Sequence, residues 1–236
     1  MSASVLKLIA LIFMVIDHIG HFFPEVTPMW FRLLGRISAP IFFFLFIEGY
    51  THTSNKRNYQ MRLFIYSVIM FLTNIGLMTV YNILNIKSVI INPLVPNIFV
   101  TLSVCFLILN VIERLKLQKG LTQIANLIFA FITLTTILAF TEYHALALFM
   151  TLIFYFLRDK KLFRNVVYIS GSILLPYLLM NYLQMAMVLA LIFINEYNGT
   201  LNNKPKENYN KMFFYNFYII HIVILALISL LIQKFF

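Results

Sequence analysis

Ionisable side chains occur inside stretches of the sequence that are otherwise apolar. Asp17 and His18 lie in the first apolar stretch, Arg36 and Glu48 near the two ends of the second, and His221 within the last. Ionisable groups inside a membrane are costly and usually functional. A histidine can take a proton from an attacking amine or hydroxyl, and cationic or hydrogen-bonding groups can stabilise the resulting negative charge. We interpret His18 as the best-placed general base.

Helical geometry places several of these groups on shared faces. Lys7 and His18 are eleven residues apart, which predicts the same helical face and a separation of about 16 Å along the axis. Glu48 and His52 are four residues apart and should also share a face. If the first two spans run antiparallel, Arg36 lies near the level of His18, whereas Glu48 and His52 lie near the level of Lys7.

Structural interpretations of these residues compete with the catalytic one. Asp17 and Arg36 would form an ion pair that only neutralises two charges in the membrane, and Asp17 could instead orient His221. His221 alone would be a hydrogen-bonded core histidine. His144, beside Glu142, falls in a predicted outer turn, where we expect a solvated side chain.

The composition identifies an integral membrane protein. Of the 236 residues, 61% are hydrophobic and 11% are charged, and the mean hydropathy is +0.88, beyond what a soluble domain needs to form a core. The net charge of +10 indicates basic loops at a membrane surface, with lipids rather than nucleic acid as partners. Cys105 is expected to be a packing residue, and the Cys and His spacing predicts no metal site.

The apolar stretches predict an all-α, polytopic transmembrane bundle of eight or nine spans, forming one domain over residues 1–236. Two stretches, 166–177 and 182–194, are shorter than the roughly 20 residues that a crossing needs. They should form short crossings or a re-entrant hairpin around Pro176. The aromatic run 213–218 resembles an interfacial belt. The candidate spans are residues 6–22, 37–50, 63–81, 98–112, 121–140, 144–157, 166–177, 182–194 and 213–231.

The basic residues predict the orientation of these spans. If the N-terminus is cytoplasmic and the loops alternate, 14 of the 18 Lys and Arg residues fall inside, as the positive-inside rule requires. The basic residues left outside are Arg32, Arg36, Lys87 and Lys234.

Several short motifs are distributed along the chain. They are KLIA (7–10), MVIDHIG (14–20), RLLGRISAPIF (32–42), EGYTHT (48–53), NIFVTL (97–102), YNG (197–199) and FFYNFYIIH (213–221). Together with Tyr59 and Arg62, these motifs resemble the TraX family, bacterial membrane proteins named for N-terminal acetylation of F-pilin. The spacing of Lys7 and His18 is also similar to that in membrane acyltransferases of the acyltransferase-three kind.

The resemblance implies a multi-pass acetyltransferase of the bacterial cytoplasmic membrane. It would move an acetyl group from cytoplasmic acetyl-CoA to the N-terminus of a pilin-like peptide, or to an envelope amine or hydroxyl. The implied catalytic residues are His18, Asp17, Arg36 and His221. The residues implied to bind acetyl-CoA are Lys7, Glu48, His52, Tyr59, Arg62, Asn97 and Thr101.

Two other functions remain open from the sequence. Intramembrane Asp, Glu and His residues also serve proton-coupled transporters of small molecules. A non-catalytic immunity or assembly factor that binds a membrane peptide would need the polar cluster only for structure. Acetyl-CoA binding distinguishes these classes.

Overall fold

The computed structural model describes residues 1–86, 94–200 and 207–235, and helices account for most of this part of the chain. Side chains are described except at 207–211 and 235. The helices are α1 Ala3–Phe22, α2 Trp30–Gly35, α3 Ser38–His52, α4 Lys56–Ile83, α5 Ile98–Leu115, α6 Leu121–Leu138, α7 His144–Phe156, α8 Lys161–Leu178, a 3₁₀ helix Tyr182–Leu189, α9 Ala190–Asn195 and α10 Glu207–Phe235.

Six helical segments of the described chain are long and apolar enough to cross a membrane. This confirms the predicted polytopic helical bundle. The six segments are Ala3–Phe22, Trp30–His52, Lys56–Ile83, Ile98–Leu115, Leu121–Leu138 and Met212–Lys234, and two shorter apolar segments are His144–Phe156 and Tyr182–Asn195.

The two short spans predicted at residues 166–177 and 182–194 agree in part with the structure. Tyr182–Asn195 is short and begins as a 3₁₀ helix. The segment before it is longer than predicted, because α8 begins at Lys161 and reaches 18 residues. Pro176 lies in the last turn of α8, where its missing N–H interrupts the helical hydrogen bonds only near the end of the helix.

The second predicted span, residues 37–50, corresponds to α3, and α2 precedes it across a break at Arg36 and Ile37. The Ser38 hydroxyl donates to the main-chain oxygen of Gly35 at 2.8 Å, which satisfies a carbonyl freed by the break. Gly35 allows a very close approach to α1, since a Cβ added there would lie 2.2 Å from the Cβ of Asp17. The break therefore carries Arg32 and Arg36 against α1.

The described segments predicted to be cytoplasmic gather at one end of the bundle. Polar contacts connect the N-terminus, the start of α4 and the ends of α3, α5, α7 and α9 in groups. The lysines at 87, 204 and 206 lie outside the described residues. The contacts are Met1 N to Glu196 O, Arg158 Nε to Glu48 Oε1 at 3.0 Å, Lys161 Nζ to Asn195 O at 3.0 Å and Lys56 Nζ to Glu113 Oε2 at 2.5 Å. This arrangement agrees with alternating loops, and the cytoplasmic location of this end remains a prediction.

Burial separates the central helices from those that face lipid. Most of α3 is buried, whereas Leu138 is the buried residue of α6. The many exposed apolar side chains of α4, α6 and α10 are those expected to contact lipid in a membrane. Cys105 is fully buried on α5, and its predicted packing role is confirmed.

Gly35→Ala is expected to lower the apparent Tm in detergent, because the methyl group would overlap Asp17. Overpacking typically costs about 1–3 kcal/mol. Gly76→Ala on α4 is the matched control, since an added Cβ there meets nothing within 4 Å and Ala favours helix by up to about 1 kcal/mol. Equal Tm values for the two variants would contradict the close approach of α2 and α1.

Candidate functional site

A cavity of about 530 Å³ extends along the inside of the bundle. Its lining includes α1, α3, α4, α5, α10 and the turn before α7. The α1 residues in the lining are Ala3, Ser4, Lys7, Leu11, Met14, Asp17, His18 and His21. These positions repeat at helical spacing over about 27 Å, close to the roughly 30 Å of a membrane's hydrocarbon core. Lys7 and His18 therefore share one cavity, as their spacing predicted.

The basic end of the cavity is formed by Lys7, His52, Tyr59, Arg62 and Tyr215. The Arg62 guanidinium lies 5.7 Å from the centre of the Tyr59 ring. Arg62 Nε is buried and has no hydrogen-bond partner in the described part of the chain. A buried guanidinium nitrogen without an acceptor is a ready donor to an anionic ligand.

His52 is fixed in place by Glu48 and Arg158. Its Nδ1 lies 2.8 Å from the main-chain oxygen of Glu48, and Arg158 Nη2 lies 3.0 Å from its Nε2. Arg158 Nε also donates to Glu48 Oε1 at 3.0 Å. The predicted shared face of Glu48 and His52 is confirmed. Glu48 itself lies outside the cavity lining, so its place is behind His52.

The histidine end of the cavity, some 16 Å along α1, contains a buried ion pair between Asp17 and Arg36. Arg32 Nη1 lies 3.0 Å from Asp17 Oδ1 and also donates to the main-chain oxygen of Asp17 at 3.0 Å. Asp17 therefore contacts two arginines, which confirms the predicted pairing with Arg36. His221 is held by other groups.

The two histidines form a hydrogen-bonded chain that fixes their tautomers. His221 Nδ1 lies 2.8 Å from the main-chain oxygen of Phe217, and its Nε2 lies 2.7 Å from His18 Nδ1. Since a carbonyl oxygen can only accept, His221 Nδ1 must donate. When both rings are neutral, His221 Nε2 then accepts from His18 Nδ1. The remaining nitrogen, His18 Nε2, carries a lone pair into the cavity.

Glu142, Tyr143 and His144 also line the histidine end, and His144 is exposed, as expected. Tyr143 and His144 have φ values of 65° and 40°, a left-handed conformation uncommon for bulky residues. Thr101 Oγ1 donates to the main-chain oxygen of Glu142 at 3.4 Å. Burial raises the pKa of Glu142 to about 7, although nearby Arg36 opposes the shift.

Comparison with known proteins assigns the chain to a family. The family model described as TraX protein matches residues 2–229. This chain belongs to the TraX family. It is also similar to an uncharacterized protein of Rickettsia prowazekii (strain Madrid E), at 41% identity over 68 residues, which is 28% of this chain and 25% of the relative. The match thus spans about a quarter of that relative. No solved structure matches the chain.

Four of the predicted site residues lie outside the cavity lining, namely Glu48, His221, Asn97 and Thr101. Asn97 precedes α5 rather than lying on it, and its side chain accepts from the N–H of Val100 at 3.3 Å and donates to the main-chain oxygen of Ser67 at 3.0 Å. Thr101 is fully buried and bonded to the turn that carries Glu142. Asn97 therefore positions the start of α5, and Thr101 positions the turn that carries Glu142. Neither side chain lines the cavity, where a contact with a ligand was expected.

Other cavity residues of this TraX-family protein were missed by the sequence interpretation. Phe214, Tyr215 and Tyr218 line the cavity, although their run was interpreted as an interfacial belt. The spacing of Phe214, Tyr218 and His221 places them on one helical face. This spacing could have indicated Phe214 and Tyr218 as residues that face His221's side of the helix. Glu142 had no such signal, because its position depends on the left-handed turn. Within the described residues, no three His, Cys, Asp or Glu side chains are grouped to hold a metal.

Glu142→Gln is expected to raise the apparent Tm more at pH 8 than at pH 5. The folded state holds the Glu142 proton up to about pH 7, against a usual value of 4.5, so the unfolded chain binds fewer protons between these values. Raising the pH through this window therefore favours unfolding, and the amide removes that penalty.

Glu25→Gln is the matched control, because Glu25 is exposed in the turn after α1. Its effect should be the same at both pH values. A Glu142→Gln effect that also does not change with pH would contradict the burial of this carboxyl.

Proposed function

We propose that this TraX-family membrane protein is an acetyltransferase that moves an acetyl group from cytoplasmic acetyl-CoA to an amine or hydroxyl at the membrane. One observation carries the proposal. His18 Nε2 carries a lone pair into a cavity that also reaches a cluster of basic residues. Transfer from an acyl-CoA requires a base near the acyl group and a distant site for the CoA phosphates, both in one cavity.

The reaction needs a single proton acceptor near the acyl group. The acceptor nitrogen or oxygen attacks the thioester carbonyl carbon as His18 Nε2 takes its proton. The tetrahedral intermediate then collapses, the carbon–sulfur bond breaks, and His18 returns the proton to the CoA sulfur. His221 acts as a positioning residue, since its bond to Phe217 keeps the proton of His18 on Nδ1.

The basic end suits the phosphates of CoA. Lys7 and Arg62 supply positive charge there, and Arg62 Nε is a buried donor that the described protein leaves unpaired. Tyr59 and His52 complete the wall around it. The extended pantetheine arm would follow the α1 face from Lys7 to His18. The bias of basic residues favours a cytoplasmic location for this end, where acetyl-CoA is available.

The histidine end is then the acceptor side. Asp17 and Arg36 neutralise each other and hold α2 against α1, so their part is to position the wall beside His18. The acceptor chemistry that suits this end is the N-terminus of a pilin-like membrane peptide or an envelope amine or hydroxyl. The spacing of Lys7 and His18, shared with acyltransferase-three enzymes, also supports the proposal.

Arg62→Gln is expected to weaken acetyl-CoA binding to detergent-solubilised protein by about 10-fold to 100-fold, the value of a charged hydrogen bond. Isothermal titration measures this. Arg57→Gln on the same helix is the matched control, since Arg57 is exposed and lies outside the cavity lining. Folded wild-type protein that binds no acetyl-CoA would refute the enzyme proposal and favour a transporter or a non-catalytic peptide-binding factor.

His18→Ala should still bind acetyl-CoA, but acetyl transfer should fall by a factor of about 10² to 10⁴, because a positioned base is lost. Transfer is measured as labelled acetyl groups moved from acetyl-CoA into the membrane fraction that contains the acceptor. Near-normal transfer by His18→Ala would reject the assignment and move the role of base to His221.

A further inference from the structure

Within the described part of the chain, Tyr218 is the aromatic side chain that contacts the rings of both His18 and His221. It lies one turn before His221 on α10, and its side chain is 5% exposed. Its ring centre lies 5.9 Å from that of His18 and 5.5 Å from that of His221, with the rings nearly perpendicular in both pairs. An edge contact with Phe99 at 4.9 Å fixes its other side.

The Tyr218 hydroxyl is oriented by the first residue of α5. Its oxygen accepts a hydrogen bond from the N–H of Ile98 at 3.4 Å. A phenol oxygen that accepts one hydrogen bond still has its own proton to donate. The described residues provide no hydrogen-bond acceptor for that proton, and Tyr218 lines the cavity. The O–H group is thus a fixed donor beside His18.

The second tyrosine at this end has a different environment. Tyr143 lies 6.0 Å from the Arg36 guanidinium and packs edge-on against Phe43. The Arg36 guanidinium is itself paired with Asp17. Tyr218 is therefore the tyrosine whose ring packs against His18 and His221, whereas the ring of Tyr143 lies near Arg36.

We propose that the Tyr218 hydroxyl donates a hydrogen bond to the oxygen of the thioester carbonyl and stabilises the oxyanion that forms on it. This inference rests on the proposed acetyltransferase function. During attack the carbonyl π electrons move to the oxygen. The Tyr218 O–H group donates a hydrogen bond to this oxygen and remains protonated. The oxyanion then reforms the carbonyl as the carbon–sulfur bond breaks. Donors of this kind are worth about 10²- to 10³-fold in kcat.

Two CoA analogues separate this role from simple binding, without any knowledge of the acceptor. S-ethyl-CoA lacks the thioester carbonyl oxygen, whereas trifluoroacetonyl-CoA carries a ketone whose hydrate, ionised to an oxyanion, resembles the tetrahedral intermediate. Tyr218→Phe should bind S-ethyl-CoA like the wild type but should bind the ketone analogue about 10-fold to 100-fold more weakly, since one charge-assisted hydrogen bond is lost.

Tyr168→Phe is the matched control. Tyr168 is also a buried tyrosine, but its hydroxyl donates to the main-chain oxygen of Met187 at 2.7 Å, and it lies outside the cavity lining. This variant should bind both analogues like the wild type. If folded Tyr218→Phe binds the ketone analogue as tightly as the wild type does, the role of Tyr218 is overturned. If the wild-type protein binds neither analogue, the acetyltransferase proposal itself is overturned.

An infrared measurement on the wild type keeps the test available if Tyr218→Phe does not fold. The carbonyl stretch of bound acetyl-CoA, labelled with ¹³C at the acetyl carbonyl, should shift to lower frequency than that of free acetyl-CoA, because hydrogen bonding polarises the carbonyl. An unshifted band in the bound state overturns the proposal.

Discussion

The buried pair of Asp17 and Arg36 is the contact on which the site depends. Two charges inside a membrane bundle are tolerated only when they neutralise each other, and removing one partner of such a pair typically costs about 3–5 kcal/mol. The pair forms because α2 breaks from α3 at Arg36 and Gly35 permits contact with α1. The same contact sets the wall beside His18, so the stability of the helix pair and the geometry of the candidate base are coupled.

The two ends of the cavity differ in charge and in proposed function. The basic end offers positive charge with an unpaired guanidinium nitrogen at Arg62, and the histidine end offers a neutral base with a neutral donor. At the histidine end Asp17 pairs with both arginines, and burial raises the pKa of the nearby Glu142 carboxyl to about 7, so the arginine charges there are partly balanced. A neutral His18 and an acyl group enclosed by the bundle are compatible with that environment. This separation supports the proposed direction of transfer from CoA to a membrane acceptor.

Helical periodicity predicted much of this arrangement, and tertiary contacts decided the rest. The face shared by Lys7 and His18 and the pairing of Asp17 with Arg36 follow from spacing and charge, and the structure confirms both. The spans followed from apolar stretches, whereas the break at Arg36 and the early start of α8 at Lys161 depend on local packing. Glu142 could not be placed, because consecutive left-handed residues direct its turn into the cavity. Asn97 caps α5 outside the cavity lining, a position that its type did not reveal because capping and ligand binding use the same residue types.

The main-chain oxygen of Phe217 fixes the His221 and His18 tautomers, so that His18 Nε2 is unprotonated. Solid-state NMR of ¹⁵N-histidine-labelled protein in lipid measures these tautomers, with the His18→Ala and His221→Ala spectra used for assignment. We expect a proton on Nδ1 and none on Nε2 in both rings at neutral pH. A His18 ring with its proton on Nε2, or protonated on both nitrogens, would contradict this expectation.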